Sequence, residues 1–185
     1  MTLEELAART EIHDVLLRYC RGLDRIDMSL VRGAFHKDAY IHFPESLHVG
    51  GAEGFFQFLT DEMPRFNRTQ HFLGNSLIEF DGPEIAFVET YLQADHAASE
   101  RHHWKGETVK LWARYFDRFE RRDGVWLIAE RRLMVDLMYR YPDKENWFDD
   151  HPDASGSPRD GTDRVLRKVA GFSGSPMAEK SLKDA

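Results

Sequence analysis

The sequence predicts an α+β fold in which helices precede a long antiparallel meander. Residues 3–24 carry apolar side chains at steps of three and four, the spacing of an amphipathic helix. Later segments follow the two-residue period of strands, and the last two are joined by a hairpin signal at Arg122-Asp123-Gly124. Because the helices come before the long strands, we expect them to pack against one face of a curved sheet.

Two helices are expected near the N-terminus. Thr2 followed by Glu5 forms a capping-box pattern where the helix over residues 3–24 begins. Ser29 is a suitable N-cap for a second, short helix that would extend through Phe35. This arrangement places Asp24 at the exit of the first helix.

A short strand and a third helix come next. Residues 38–43 alternate as in a strand, and Pro44 closes it. Gly50-Gly51 indicates a turn. Residues 52–66 then predict a third helix, which Pro64 should bend or end.

Four long strands are predicted over residues 68–81, 85–97, 108–121 and 125–139. A polar connection, residues 98–106, separates the middle two. In the second of these strands, the side chains expected on one face are those of Ala86, Val88, Thr90, Leu92 and Ala94. Residues 1–141 should form this single domain. Residues 142–185, rich in Pro, Gly, Asp and Ser, predict an extension that is partly irregular or disordered.

Composition excludes several classes of function. A net charge of -7 argues against a general nucleic-acid binder. No apolar run approaches the ~20 residues that a membrane-spanning helix needs. The first residues lack the basic start and apolar stretch of a signal peptide. Cys20 is the only cysteine, so no internal disulfide can form and a cytoplasmic location is expected.

The sequence contains no recognisable motif for a metal or a cofactor. The histidines at 36, 42 and 48 are loosely spaced, and no His-x-x-x-His or Cys-x-x-Cys pattern occurs. There is no glycine-rich phosphate loop and no Gly-x-Ser-x-Gly elbow. We therefore expect neither a metal nor a cofactor, and Cys20 is better explained as a packing residue than as a nucleophile.

Four stretches resemble the nuclear-transport-factor-2-like superfamily and, within it, the SnoaL-like group. They are Ile12–Asp24, Phe35–Ala39, Thr69–Asn75 and Tyr115–Trp126. The resemblance covers roughly residues 5–137. It implies a cone, in which a strongly curved antiparallel sheet surrounds an apolar pocket that the N-terminal helices close. It also implies a homo-oligomer, either a trimer or a dimer.

The site pattern is similar to that of the scytalone dehydratase and lindane dehydrochlorinase families, which eliminate a small leaving group without a cofactor. The resemblance implies that His71 is the base and that Asp24 orients it. Arg131 matches an arginine on the final strand. Tyr19 stands where the dehydrochlorinases have a lysine, and Tyr19 and Tyr40 are candidates to polarise a carbonyl.

The chemistry of such a pair is general. A histidine accepts a proton near neutral pH because its unperturbed pKa is about 6.5. A carboxylate on its other ring nitrogen fixes the tautomer and stabilises the imidazolium as it forms. Without the resemblance, His71 would be read as a hydrogen-bonded core histidine. Asp27 competes with Asp24, and Arg132, of opposite facing, competes with Arg131.

The substrate-binding candidates are His42, His96, Trp112 and Phe56. Together with the resemblance, these residues imply a cofactor-independent lyase, a dehydratase or an aldehyde-releasing carbon–carbon lyase, acting on an apolar, aromatic, hydroxylated small molecule. Two alternatives stay open: an isomerase of the ketosteroid-isomerase type, in which a carboxylate is the base, and a small-molecule-binding module without catalysis.

Overall fold

The fold comes from a computed structural model, which describes residues 1–143 together with residues 150, 151 and 159. The domain lies within the unit Met1–Glu145. The predicted extension over residues 142–185 falls almost entirely outside the described residues.

Three helices and six strands make up the domain. In chain order they are α1 (Leu3–Arg25), α2 (Met28–Arg32), β1 (Phe35–His42), β2 (Val49–Gly51), α3 (Ala52–Glu62), a 3-10 turn (Met63–Arg65), β3 (Phe66–Phe80), β4 (Ile85–Ala98), β5 (Glu107–Arg122) and β6 (Val125–Pro142). The strands form one open sheet in the order β2-β1-β6-β5-β4-β3. The predicted α+β class is therefore confirmed. Among the described residues, no helix is long and apolar enough to cross a membrane.

One pair of strands departs from the predicted antiparallel pattern. The meander from β3 to β6 is antiparallel throughout, as is the pair of β1 with β2. However, β1 lies parallel to β6, with Ile41 opposite Arg131. Parallel neighbours need a long crossover, and here all the chain between β1 and β6 supplies it. The alternation of apolar and polar residues in β1 does not indicate whether its neighbour is parallel or antiparallel.

The junction between α1 and α2 differs from the prediction by a few residues. The Thr2–Glu5 capping box is present, and α1 ends at Arg25, followed by the C-cap Ile26 in the left-handed conformation with φ 55°. Asp27, not Ser29, is the N-cap of α2, because its carboxylate accepts hydrogen bonds from the backbone N–H groups of Ser29 and Leu30. The second helix ends at Arg32, and β1 already begins at Phe35.

Gly22 allows α2 to approach α1 closely. A Cβ atom at this position would lie 2.8 Å from Val31 Cγ2 and 3.0 Å from the carbonyl oxygen of Asp27. Gly22 O also accepts a 2.8 Å hydrogen bond from the backbone N–H of Asp27. The glycine that weakens the helix by propensity is thus required by the turn that follows Asp24.

The long strands are irregular in register at several points. The β3–β4 register shifts between Leu73 and Ser76, and the β5–β6 register shifts between Trp112 and Ala113. Such bulges bend strands and increase their twist, so they contribute to the curvature of the sheet.

The sheet has an inner face, which packs against the helices, and an outer face. The five β4 residues predicted to share one side are buried on the inner face. They form the core with apolar residues of the helices, including Ile12, Leu16, Phe55 and Leu59. The outer face keeps many side chains exposed, and the alternation along each strand therefore decides which residues reach the interior.

Candidate functional site

Asp24 and His71 meet at the junction of α1 and β3. His71 lies on the inner face of β3, and its ring Nδ1 is 2.8 Å from Asp24 Oδ1. The backbone N–H of His71 donates to Asp24 Oδ2 at 3.0 Å. Thr69 Oγ1 donates to Asp24 Oδ1 at 2.9 Å. Both carboxylate oxygens are therefore held by β3.

These hydrogen bonds decide the charge of Asp24. Burial favours the neutral acid, but the ring and backbone hydrogen bonds from His71, its charge and the Thr69 hydroxyl together lower the pKa of Asp24 below its ordinary value. Asp24 is thus ionised at neutral pH and acts only as an acceptor. Neutral His71 must then carry its proton on Nδ1, which leaves the lone pair on Nε2.

The pair is largely screened from water. The side chain of His71 is 6% exposed and that of Asp24 is 13% exposed. A carboxylate that orients an imidazole in such a setting provides a general base with a defined proton-accepting atom. His96, also on the inner face, lies edge-to-face against the His71 ring with centroids 5.1 Å apart.

A buried ion pair lies on the same face of the sheet. Arg131 and Asp117 are both completely buried, and Arg131 Nε and Nη2 each donate a 2.7 Å hydrogen bond to the Asp117 carboxylate. Burial lowers the pKa of Arg131, but the charge of Asp117 and its hydrogen bonds outweigh burial and raise the pKa. Burial raises the pKa of Asp117, which Arg131 opposes. The two-bond geometry is that of a carboxylate–guanidinium pair.

Two donors beside this ion pair have no hydrogen-bond partner among the described residues. They are the hydroxyl of Tyr19 and Nη1 of Arg131, and both atoms are buried. The guanidinium carbon lies 4.3 Å from the centre of the Tyr19 ring and 3.9 Å from that of Tyr115. Burial raises the pKa of Tyr19 to about 12 although Arg131 opposes the rise, so the hydroxyl stays protonated at neutral pH. Buried donors without partners are suited to an oxygen atom of a ligand.

Tyr40 and His42 were placed wrongly in the predicted site. Ile41 and Ala39 are the inner-face residues of β1, so Tyr40 and His42 lie on the outer face. The side chain of Tyr40 is 45% exposed. Neither residue faces the interior, where Asp24 and His71 lie.

Trp112 and Phe56 also fall outside the immediate site. Trp112 lies on the outer face of β5, where its ring contacts Tyr139 and Lys110. Phe56 is buried within α3 and packs against Phe35, with the Arg32 guanidinium over its ring. Its described contacts make it a core residue.

The structure separates the two residues that were left as competitors. Asp27 caps α2 and does not face β3. Arg132 is half-exposed and pairs with Glu130 on the outer face. Asp24 and Arg131 are therefore the interior members of each pair.

Three residues near the site were not singled out from the sequence. Thr69 stands two residues before His71 and so shares its strand face, which is a signal that alternation offers. Asp117 and Tyr115 lie on the inner face of β5, and Asp117 is directly opposite Arg131. Only the strand register reveals that pairing.

Two surface hollows lie away from these side chains. One, of about 500 Å³, lies between the start of α1 and the hairpin ends and includes Phe80 and Trp126. The other, of about 560 Å³, lies on the outer face and includes Phe116 and Arg114. Neither is lined by Asp24 or His71. Within the described residues, no group of three or more His, Cys, Asp or Glu side chains is arranged to hold a metal ion.

Comparison with protein families assigns the chain to a class. Residues 4–132 match the SnoaL-like domain, and the chain belongs to this family. Among curated protein sequences, none matches the chain.

Solved structures share the fold at low sequence identity. A candidate scytalone dehydratase from Novosphingobium aromaticivorans DSM 12444 has a TM-score of 0.68 and 21% identity, covering 79% of this chain and 99% of that one. A hexachlorocyclohexane dehydrochlorinase of type 2 has a TM-score of 0.69 and 20% identity, covering 78% and 95%. A type 3 enzyme from Novosphingobium barchaimii LL02 has a TM-score of 0.67 and 21% identity, covering 75% and 93%. At these identities the likeness establishes the fold, and activity has to be inferred from the site.

Proposed function

We propose that the protein is a cofactor-independent lyase that acts on an apolar, aromatic, hydroxylated small molecule. The observation that carries the proposal is the hydrogen bond between Asp24 and His71 Nδ1. It leaves His71 Nε2 as the proton acceptor in a site with little water. Elimination enzymes among the structural neighbours add support at the level of the family.

The arrangement favours His71 over Asp24 as the base. The Asp24 carboxylate already accepts three hydrogen bonds from β3, and each lowers its basicity. An isomerase of the type that uses a carboxylate base would need that carboxylate facing its substrate. Asp24 faces the backbone and ring of His71 instead, so we assign it the orienting role.

The chemical step follows from the donors around the interior. His71 Nε2 removes a proton from carbon or from a hydroxyl, and negative charge develops on the substrate. The Tyr19 hydroxyl and Arg131 Nη1, which lie beside the Asp117–Arg131 ion pair, stabilise that charge. In dehydration, the electron pair of the broken C–H bond forms the double bond, the C–O bond breaks, and the hydroxyl leaves as water with the proton that His71 returns. In aldehyde release, His71 takes the proton of a hydroxyl, the carbonyl forms as the carbon–carbon bond breaks, and the other carbon takes the proton back from His71.

Location and assembly belong to the same proposal. The single cysteine, Cys20, is free and buried, in keeping with a reducing compartment such as the cytoplasm. Exposed aromatic residues on the outer face suit contact with further copies of the chain, as a dimer or a trimer.

A compound screen with matched variants tests the proposal. Hydroxylated diaryl and polyketide compounds are incubated with the protein, and product masses separate loss of water, loss of formaldehyde and isomerisation. His71→Gln should lower turnover roughly 10²- to 10⁴-fold, the usual contribution of a general base. His42→Gln, which changes a histidine on the outer face, should leave turnover unchanged.

The opposite outcomes are equally clear. If His71→Gln turns over a substrate as fast as the wild-type protein, His71 is not the base. If compounds bind with the same affinity to both proteins and none is converted, the interior serves binding alone.

A further inference from the structure

Thr69 is a buried polar residue for which the mechanism above has no separate task. It is 8% exposed and lies on β3, two residues before His71. Its hydroxyl reaches across to α1 and bonds to Asp24 Oδ1 at 2.9 Å. Since the Asp24 carboxylate has no proton to give, the Thr69 hydroxyl is the donor in this bond.

The geometry around Asp24 divides its two oxygens between different donors. Oδ1 accepts from the Thr69 hydroxyl and from the His71 ring, whereas Oδ2 accepts from the His71 backbone. The Thr69 hydroxyl is therefore a second donor to the same carboxylate oxygen that the imidazole meets.

We propose that Thr69 is a positioning residue, which holds Asp24 as a carboxylate with Oδ1 directed at the ring of His71. The inference rests on the proposed function only in taking His71 as the base. Thr69 acts through Asp24, because a carboxylate oxygen can accept the hydroxyl and the ring N–H at the same time.

The test uses the full chain without any ligand. The Asp24 carboxyl is titrated by ¹³C NMR in the wild-type protein, in Thr69→Val and in Thr69→Ser. Valine keeps the shape of threonine but removes the donor, so the pKa of Asp24 should move upward. Serine restores the donor and should return the pKa towards the wild-type value.

Thr90→Val is the matched control. Thr90 is also a fully buried inner-face threonine with a side-chain hydrogen bond, but its partner is Ser76 on β3. It should lower stability without changing the titration of Asp24. If Thr69→Val does not fold, Thr69→Ala removes the same donor with less crowding and should give the same upward shift.

The inference is overturned if removal of the Thr69 donor leaves the Asp24 titration at its wild-type position, or if Thr69→Ser does not restore it. It is also overturned if Thr90→Val shifts the titration equally. With a substrate in hand, Thr69→Val should lower kcat roughly tenfold with little change in KM, as expected for one lost hydrogen bond to a charged group. The proposed function is tested separately. Absence of turnover by the wild-type protein would refute the lyase activity but would not affect the titration result.

Discussion

Asp24 keeps its charge at a position where little water reaches it, because hydrogen-bond donors on β3 replace the solvent. Its pKa is lowered despite burial, so the folded state binds a proton at this carboxyl less readily than the unfolded chain does. The bonds that orient His71 therefore also stabilise the fold, and they do so only while Asp24 is ionised.

Asp24→Asn should reveal this link between charge and stability. The folded pKa is below the unfolded value of about 3.9, so the stabilisation is fully present above pH 4 and is lost as the pH falls through the folded pKa. At pH 7 the variant should be less stable by about 1.5–3 kcal/mol, the contribution of hydrogen bonds to a charged group. Urea denaturation at pH 7 and below pH 3 measures the difference. A gap that stays constant over this range would contradict the assignment.

Individual site residues were predictable to different degrees. The motifs at the end of the first helix and around His71 are local, but Asp24 and His71 became candidates only through the resemblance of these motifs to the SnoaL-like group. Alternation places Tyr40 and Trp112 on one of two faces but does not say which face is inner. Both residues lie on the outer face. Which face is the inner one depends on where the helices pack.

Strands β5 and β6 share a buried ion pair, whose desolvation cost can be measured separately from the attraction between its two charges. Asp117 and Arg131 lie opposite each other and are completely buried. Removing one partner leaves the other charge buried without a counter-ion. Replacing both partners with apolar residues also removes the cost of desolvating the two charges.

Arg131→Met should therefore destabilise the protein by about 3–5 kcal/mol. The double variant Arg131→Met with Asp117→Leu should recover a large part of that loss. Chemical denaturation of the two single variants and the double variant gives the coupling energy. Additive effects would mean that the two side chains do not stabilise each other in the folded protein. Both Arg131 variants should still impair catalysis, because Nη1 is absent from them.

The elements themselves were predictable where a pattern is local and long. The long strands and the first helix follow their periodicity closely. The short elements do not: β2 was read as a turn, and α2 begins after Asp27, which takes the capping position, and ends at Arg32, before Phe35. The parallel pairing of β1 with β6 depends on distant parts of the chain, so no local pattern could indicate it.

At the scale of the whole molecule, we propose the outer face of the sheet as the surface for self-association. Its 560 Å³ hollow combines exposed Phe116 and Met134 with charges of both signs, including Arg114 and Glu89. Apolar side chains rimmed by mixed charges are typical of protein interfaces. The same face of a second copy can present an acidic side chain to Arg114 and a basic side chain to Glu89.

Phe116→Lys should accordingly weaken assembly. We expect sedimentation equilibrium of the wild-type protein to give a multiple of the 21.6 kDa chain mass, and the variant to shift towards the single chain. Leu47→Lys, which alters an exposed leucine between β1 and β2, should keep the wild-type mass. A wild-type mass of 21.6 kDa would rule out the oligomer.

The overall architecture was the most predictable level, since it follows from the order of helices and strands and from the motifs shared with the SnoaL-like family. Activity is less determined, because the same cone supports different chemistry according to a few interior side chains. The account consequently depends on the protonation of one ring in this interior.

The most direct test is ¹⁵N NMR of the His71 ring in the ligand-free protein at mildly alkaline pH. We expect a proton on Nδ1, hydrogen-bonded to Asp24, and an unprotonated Nε2 ready to accept a proton. A proton found on Nε2, with Nδ1 unprotonated, would contradict the proposed role of His71, because its lone pair would then face Asp24 and not a substrate.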